Sequence, residues 1–173
     1  MRFQPLKIYT GELNHTPLGD LRFAVSALGL VAIEWAESQP RLDAYLKRLQ
    51  ATVEPNQKLI QPYAKEMTEY LKGKRRDFTI AIDWSTLKPF QRNTLRAVFS
   101  IPYGETRTYA EIAAQIGHPN AYRAVGRANA TNPMPLVIPC HRVIGTDGKL
   151  HGYGGGDGLP TKEWLLKMER VQA

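Results

Sequence analysis

The only thiol in the chain lies in IPCHRV, residues 138–143, where Cys140 follows a proline and precedes His141 and Arg142. A thiol beside a base and a positive charge has the parts of a nucleophile, because the thiolate attacks and the thiol does not. An imidazole acting through a water is one arrangement that would generate it. Adjacent side chains often diverge, however, and a lone cysteine is most often an inert buried hydrophobe. The hexapeptide alone leaves both readings open. A metal site has less support: one cysteine with the scattered His15, His118, His141 and His151 does not give zinc-ligand spacing.

Other side chains upstream could do chemistry. Arg123 and Arg127 stand four apart, so on a helix they project from one face. Ala121, Ala124 and Ala128 are small and permit close approach to a neighbour or a groove. Gly126 inside that helix costs up to about 1 kcal/mol against alanine, which suggests that something comes close. Tyr109 either packs by its ring or offers its hydroxyl as proton donor or phosphate contact. After the thiol, GKLHGYGGGDGLP exposes amide N–H donors and allows close backbone approach, or is simply a surface loop. It is not a P-loop, since no GK[ST] follows.

These groups need a scaffold. In TRTYAEIAAQIG, Thr108 has the N-cap position of a short helix with Glu111 three residues on, the capping-box pattern. Gly117 ends that helix, HPN turns, and AYRAVGRANA makes a second, which together form a helix-turn-helix candidate. LKPFQRNTLRAVFSIPYG supplies a helix carrying Phe90, Leu95, Val98 and Phe99. In NPMPLVIPC, Pro133, Pro135 and Pro139 fix φ and bias the preceding residues toward extended geometry, a rigid approach that buries Leu136, Val137 and Ile138. TKEWLLKMER reads as a last helix, with Trp164 and Leu165 available to pack.

The first half reads as α/β. TPLGDLRFAVS and LVAIEW make a hairpin around Leu28 and Gly29. PRLDAYLKRLQ and QPYAKEMTEYLKG have helical spacing. RDFTIAIDW, with Phe78, Ile80 and Ile82 alternating, reads as a strand. Expected domains are 1–84 and 85–173.

The chain has 173 residues, 43% hydrophobic, which suits one large or two small domains with a real core. A formal charge of +7 favours polyanions, nucleic acid among them, although a merely solvated basic surface is the bland alternative. One cysteine makes no internal disulfide and points to a reducing cytosol, hence a cytoplasmic protein. The start MRFQPLKIYTGELNH lacks the apolar stretch of a leader, and no run approaches the roughly 18 apolar residues of a membrane span.

Taken together, IPYGETRTYAEIA, NAYRAVGRANATNPMPLVIPCHRVIG, GYGGG and KEWLLKMER resemble the methylated-DNA–protein-cysteine methyltransferases, also called O6-alkylguanine-DNA alkyltransferases. The match covers residues 90–170, and PCHRV behind a helix-turn-helix is its specific part. The resemblance implies a ribonuclease-H-like α/β N-terminal domain followed by a mainly helical C-terminal domain with the helix-turn-helix. It implies DNA repair by irreversible, single-turnover transfer of an alkyl group from O6 of a flipped guanine to Cys140, without cofactor or metal. His141 is then the base through a water, oriented by Glu169. Tyr109 presses on the backbone phosphate and protonates guanine N3. Arg123 enters the stack from a helix in the minor groove, with Ala124 close to the DNA and Arg127 as an added phosphate contact. Carbonyls of Cys140 and Val143 accept from the exocyclic amine, the Gly154 amide donates to O6, Tyr153 lines the substrate site, and Asn132 holds the turn before the thiol. The implied partner is double-stranded DNA containing O6-alkylguanine, met by a monomer with cooperative loading on DNA.

Two positions and one segment depart from the family pattern. Gly154 stands where serine or alanine is common, which removes a side chain and suggests a larger pocket. Arg127 stands where glycine is common. The segment between Gly156 and Lys162 is about two residues longer than in close relatives. Two other readings compete: a lesion-binding protein of the alkyltransferase-like kind, which lacks the cysteine, and a regulator that reads undamaged DNA through the helix-turn-helix alone.

Overall fold

The computed structural model describes residues 5–172; residues 1–4 of the stretch inspected for a leader lie outside it. The chain divides into two units, Met1–Thr86 and Leu87–Ala173. Among the described residues no helix is long and apolar enough to cross a membrane.

The first unit is built on β1 (Lys7–Thr16), β2 (Gly19–Ser26), β3 (Gly29–Trp35) and β4 (Thr52–Pro55), ordered β3-β2-β1-β4. The hairpin expected around Gly29 is present: β2 and β3 are antiparallel, with Phe23 opposite Ile33 and Leu21 opposite Trp35. Helix α1 (Gln39–Arg48) buries Leu42 and Leu46 in a cluster with Ile8, Ala24, Val31 and Ala32. Helix α2 (Gln57–Leu71) starts four residues before the periodic stretch because Asn56 caps it, accepting from Leu59 N at 3.2 Å. It lies against β1 at Gly11, where a Cβ would meet the Gln57 side chain at 2.5 Å.

One expectation fails in this unit, and one strand is present that was not expected. Residues 76–84 form no strand; they make a single parallel bridge, Ile82 to Leu30, with Leu30 N donating to Ala81 O (2.9 Å). The reason is local. The Glu66 carboxylate takes the backbone N–H of Thr79 (2.8 Å) and of Ile80 (3.4 Å), so those amides are committed before a ladder can form. Strand β4 has no apolar alternation to announce it. All four of its residues are exposed, and backbone pairing parallel to β1 alone makes it a strand.

The second unit is mainly helical: α3 (Pro89–Phe99), α4 (Tyr109–Gln115), α5 (Tyr122–Ala130) and α6 (Leu159–Gln172). In α3, Leu95 and Val98 are buried with Thr94 and Ala97, but Phe99 is 38% exposed, at the helix end where the apolar face has turned outward. The capping box forms as expected: Thr108 Oγ1 accepts from Glu111 N (3.1 Å) and Glu111 Oε2 accepts from Thr108 N (2.6 Å). Gly117 closes α4 at φ 79°, a left-handed turn that leads to α5. A two-residue parallel pair, β5 (Arg107–Thr108) with β6 (Val143–Ile144), fastens the start of α4 to the segment just after the thiol. That pair sets Tyr109 beside Cys140, and no sequence period signalled it.

Candidate active site

Cys140 opens a single 3-10 turn, Cys140–Arg142, immediately before β6. The approach is rigid but not uniformly extended. Leu136, Val137 and Ile138 are buried, yet Leu136 has φ 73°, and Ile138 N donates back to Met134 O at 2.9 Å. Asn132 holds this loop from both sides. Its Nδ2 donates to Ile138 O (2.9 Å) and its Oδ1 accepts from Met134 N (2.9 Å). A left-handed leucine is strained, and such backbone persists where its surroundings over-determine it. The clamp and the complete burial of the leucine do so here.

A 3-10 turn sends consecutive side chains in different directions. Cys140 lines a cavity of about 520 Å³. His141 and Arg142 turn into the interior, where both meet Glu169 of α6. His141 Nε2 lies 2.8 Å from Glu169 Oε1, while Arg142 donates from Nε to Oε2 and from Nη2 to Oε1, both at 2.9 Å. Gly104 N adds a bond to Oε2 at 3.3 Å, and Arg142 Nη1 donates to Ile101 O at 2.6 Å. Burial alone would push the Glu169 carboxyl up; the bonds from His141 and Arg142 overcome this and hold it far below the usual carboxylate range. Burial drives the His141 pKa down, against the pull of Glu169. A neutral imidazole facing a carboxylate carries its proton on Nε2, so Nδ1 holds the basic lone pair.

Burial also pushes the Cys140 thiol up, opposed by the Asn132 side chain, the Lys162 ammonium and the Cys140 and His141 backbone amides. The resting pair is therefore neutral thiol and neutral imidazole, with groups arranged to stabilise charge once sulfur acquires it. Lys162 is fully buried. Its Nζ donates to Val143 O (2.6 Å) and to His151 O (3.1 Å). Burial lowers its pKa to about 8, while Cys140 works to raise it. Tyr109 lines the same cavity, and its hydroxyl donates to the same His151 carbonyl at 3.2 Å. Burial, with Cys140 adding to it, raises the pKa of that phenol. Among the described residues no group of three or more His, Cys, Asp or Glu side chains is placed to hold a metal ion.

Comparison with known proteins gives the family of the chain. Residues 8–84 match the family described as 6-O-methylguanine DNA methyltransferase, ribonuclease-like domain, and residues 89–171 match its DNA binding domain. A methylated-DNA–protein-cysteine methyltransferase of Methanosarcina barkeri is 40% identical over 158 residues, 91% of this chain and 95% of the relative. This chain belongs to the methylated-DNA–protein-cysteine methyltransferase family. The crystal structure of the Mycobacterium tuberculosis O6-methylguanine methyltransferase superposes with a TM-score of 0.78 at 36% identity, covering 96% of this chain and 94% of that one. That of M. tuberculosis OGT in complex with DNA superposes with a TM-score of 0.76 at 35% identity, over 97% and 95%. The two-domain arrangement of an α/β unit followed by a helical one is thus that of the methyltransferase family.

In this methyltransferase one helix serves two surfaces. Arg123, Ala124 and Arg127 are exposed on α5, while Tyr122, Gly126, Asn129 and Ala130 line the Cys140 cavity from the same helix. Gly126 is not forced by a protein neighbour: a Cβ there would meet only Tyr109 ring carbons at 3.9 Å, an ordinary contact. Tyr153 and Gly154 line the cavity as well. A Cβ at Gly154 would meet Ala130 O at 3.2 Å, so the missing side chain lets the loop close against the end of α5. Val143 is buried, and its carbonyl already accepts from Lys162.

Sequence reasoning missed Lys162, Arg142 as the partner of Glu169, and the cavity wall formed by Tyr122 and Asn129. A signal for the first existed. Lys162, Leu165, Leu166 and Glu169 fall on one helical face, so two charges share a buried apolar stripe. Buried charges of that kind are paired or functional.

Proposed function

We propose that the protein repairs O6-alkylguanine in duplex DNA by moving the alkyl group to Cys140. The observation that carries this is the sole thiol lining the cavity, with a buried His141–Glu169 pair behind it and the exposed arginines of α5 beside it. The lesion must leave the stack to reach such a thiol, at a cost of a few kcal/mol. Arg123 fills the gap it leaves, Arg127 contacts phosphate, and Ala124 lets the helix approach the minor groove. The α4–turn–α5 unit acts here as the helix-turn-helix. The first unit, a sheet flanked by α1 and α2, is read as ribonuclease-H-like, in keeping with the description of the family it matches.

In the transfer, the Cys140 proton passes through a water to His141 Nδ1, and Glu169 stabilises the imidazolium. The Lys162 ammonium, the Asn132 amide and backbone N–H groups stabilise the charge on sulfur. Sulfur attacks the alkyl carbon; the S–C bond forms as the C–O6 bond breaks. Guanine leaves with the bonding electrons, accepting a proton at N3 from Tyr109 and a hydrogen bond at O6 from the Gly154 amide. The exocyclic amine donates to the carbonyls of Cys140 and Val143, and Tyr153 lines the base. The imidazolium proton replaces the one Tyr109 gave, so atoms and charge balance without a cofactor. A thioether has no ready leaving group, so each molecule acts once. The reading is of a cytoplasmic monomer, loading cooperatively on DNA.

Incubation with a duplex bearing O6-methylguanine, followed by intact and peptide mass, tests the proposal. One methyl on the peptide containing Cys140 is expected, together with binding but no transfer by Cys140→Ser. An unmodified wild-type Cys140 peptide would overturn it.

A further inference from the structure

We infer that Tyr122 is a stacking residue that receives the extruded base at the mouth of the Cys140 cavity. This rests on the proposed base-extruding repair reaction. Three observations carry it. First, Tyr122 is 48% exposed, so its ring is accessible to a base approaching from solvent. Second, the exposed ring also lines the cavity, along with Gly126 one helical turn further on. Residues four apart share a helix face, so this side of α5 presents an aromatic ring followed by a glycine with no side chain. Gly152, Tyr153 and Gly154 line the same cavity, and the two glycines add only backbone to it. An exposed aromatic ring and the buried Cys140 therefore line one cavity. Third, the Arg123 guanidinium lies 5.9 Å from the Tyr122 ring centroid. The two neighbours are therefore already associated, one exposed toward solvent and the other along the cavity.

The physical role follows from the ring. Every base has a π-face, and stacking on an aromatic side chain is indifferent to sequence. A base leaving the duplex loses its stacking neighbours, and Tyr122 replaces one of them on the path to sulfur. When Arg123 enters the space vacated in the duplex, the ring exchanges a cation partner for the base. Tyr122 takes no part in proton transfer, so the reactivity of Cys140 does not depend on it.

The test compares wild type with Tyr122→Ala, Tyr122→Leu and Tyr122→Phe in single-turnover kinetics on a duplex with O6-methylguanine. Two controls accompany it: affinity for the undamaged duplex and the rate of Cys140 modification by iodoacetamide. Tyr122→Ala and Tyr122→Leu should slow duplex repair about tenfold, the scale of one base–aromatic stack. Tyr122→Phe should retain repair, and both controls should stay within about twofold of wild type in all three variants. Equal repair by wild type and Tyr122→Ala overturns the inference. So does a loss in Tyr122→Phe as large as in Tyr122→Ala, which would assign the role to the hydroxyl. A parallel loss in the iodoacetamide rate would show damage to the thiol's surroundings and also overturn it. Absence of transfer by wild type would be a different result, the failure of the repair reaction itself.

Discussion

Replacing Lys162 with methionine separates an electrostatic role from a structural one. The lysine is fully buried, with Nζ on the carbonyls of Val143 (2.6 Å) and His151 (3.1 Å). Its fall from 10.5 to about 8 corresponds to roughly 3 kcal/mol against the charged form on folding. Methionine removes that cost and loses two charge-assisted hydrogen bonds of about 1.5 to 3 kcal/mol each. The two nearly offset, so the variant should be between equally stable and about 3 kcal/mol less stable. Transfer should slow as well. A nearby opposite charge lowers a thiol pKa by about 1–3 units, and sulfur carries part of that charge in the transition state. Loss of the ammonium should slow transfer about 10- to 100-fold at neutral pH. The pH dependence has a definite sign. Wild-type rate should climb with pH as the small thiolate fraction grows, and the slope should fall above pH about 8, where Lys162 loses its proton. Lys162→Met should lack that break. Stability of the wild type should rise with pH between about 8 and 10.5, because there the unfolded chain still holds the proton and the folded chain does not. Single-turnover transfer from O6-methylguanine duplex and urea unfolding measure both quantities. Transfer by Lys162→Met within twofold of wild type, or a larger stability loss with the pH break intact, would refute the reasoning.

The Glu169 cluster predicts a different pattern. Glu169→Gln should cost about 3–5 kcal/mol in urea unfolding, since it leaves the buried Arg142 guanidinium without its counter-charge. The folded carboxyl is held below its ordinary 4.5, so its stabilisation is full above that pH and fades as pH falls below it. Wild type should lose this component on acidification, and Glu169→Gln should not; parallel curves would contradict it. Asn132→Ala removes two bonds from the strained loop, and about 2 kcal/mol of stability should go with them, alongside slower transfer; an unchanged unfolding midpoint would show that the clamp is idle. Arg123→Ala should lose duplex repair far more than reaction with free O6-benzylguanine, and equal losses would remove its role in the stack.

Local chemistry was legible in the sequence. The capping box at Thr108 and Glu111, the turn at Gly117 and the hairpin at Gly29 depend on residues a few positions apart, and all form. The thiol and its family setting were legible too, because PCHRV and the flanking motifs are contiguous strings. Where a distant group competes for the backbone, the sequence misled. Residues 76–84 alternate like a strand, but Glu66, more than ten positions earlier, takes two of their amides. Strand β4 was invisible for the converse reason: it is made by pairing with β1, not by a buried face of its own.

What the sequence by itself determined is therefore the set of reactive groups and the short elements that carry them: one cysteine, a histidine next to it, and two arginines on one helix face. Only the tertiary structure decided who meets whom. Next to each other in the chain, Cys140 and His141 point apart, one into the cavity and the other to Glu169, 28 residues away. Lys162 and Tyr109 converge on the His151 carbonyl from different helices. A side chain's partners depend on burial and on contacts distant in sequence. Burial also governs the charge of each group, and so the state in which the thiol waits.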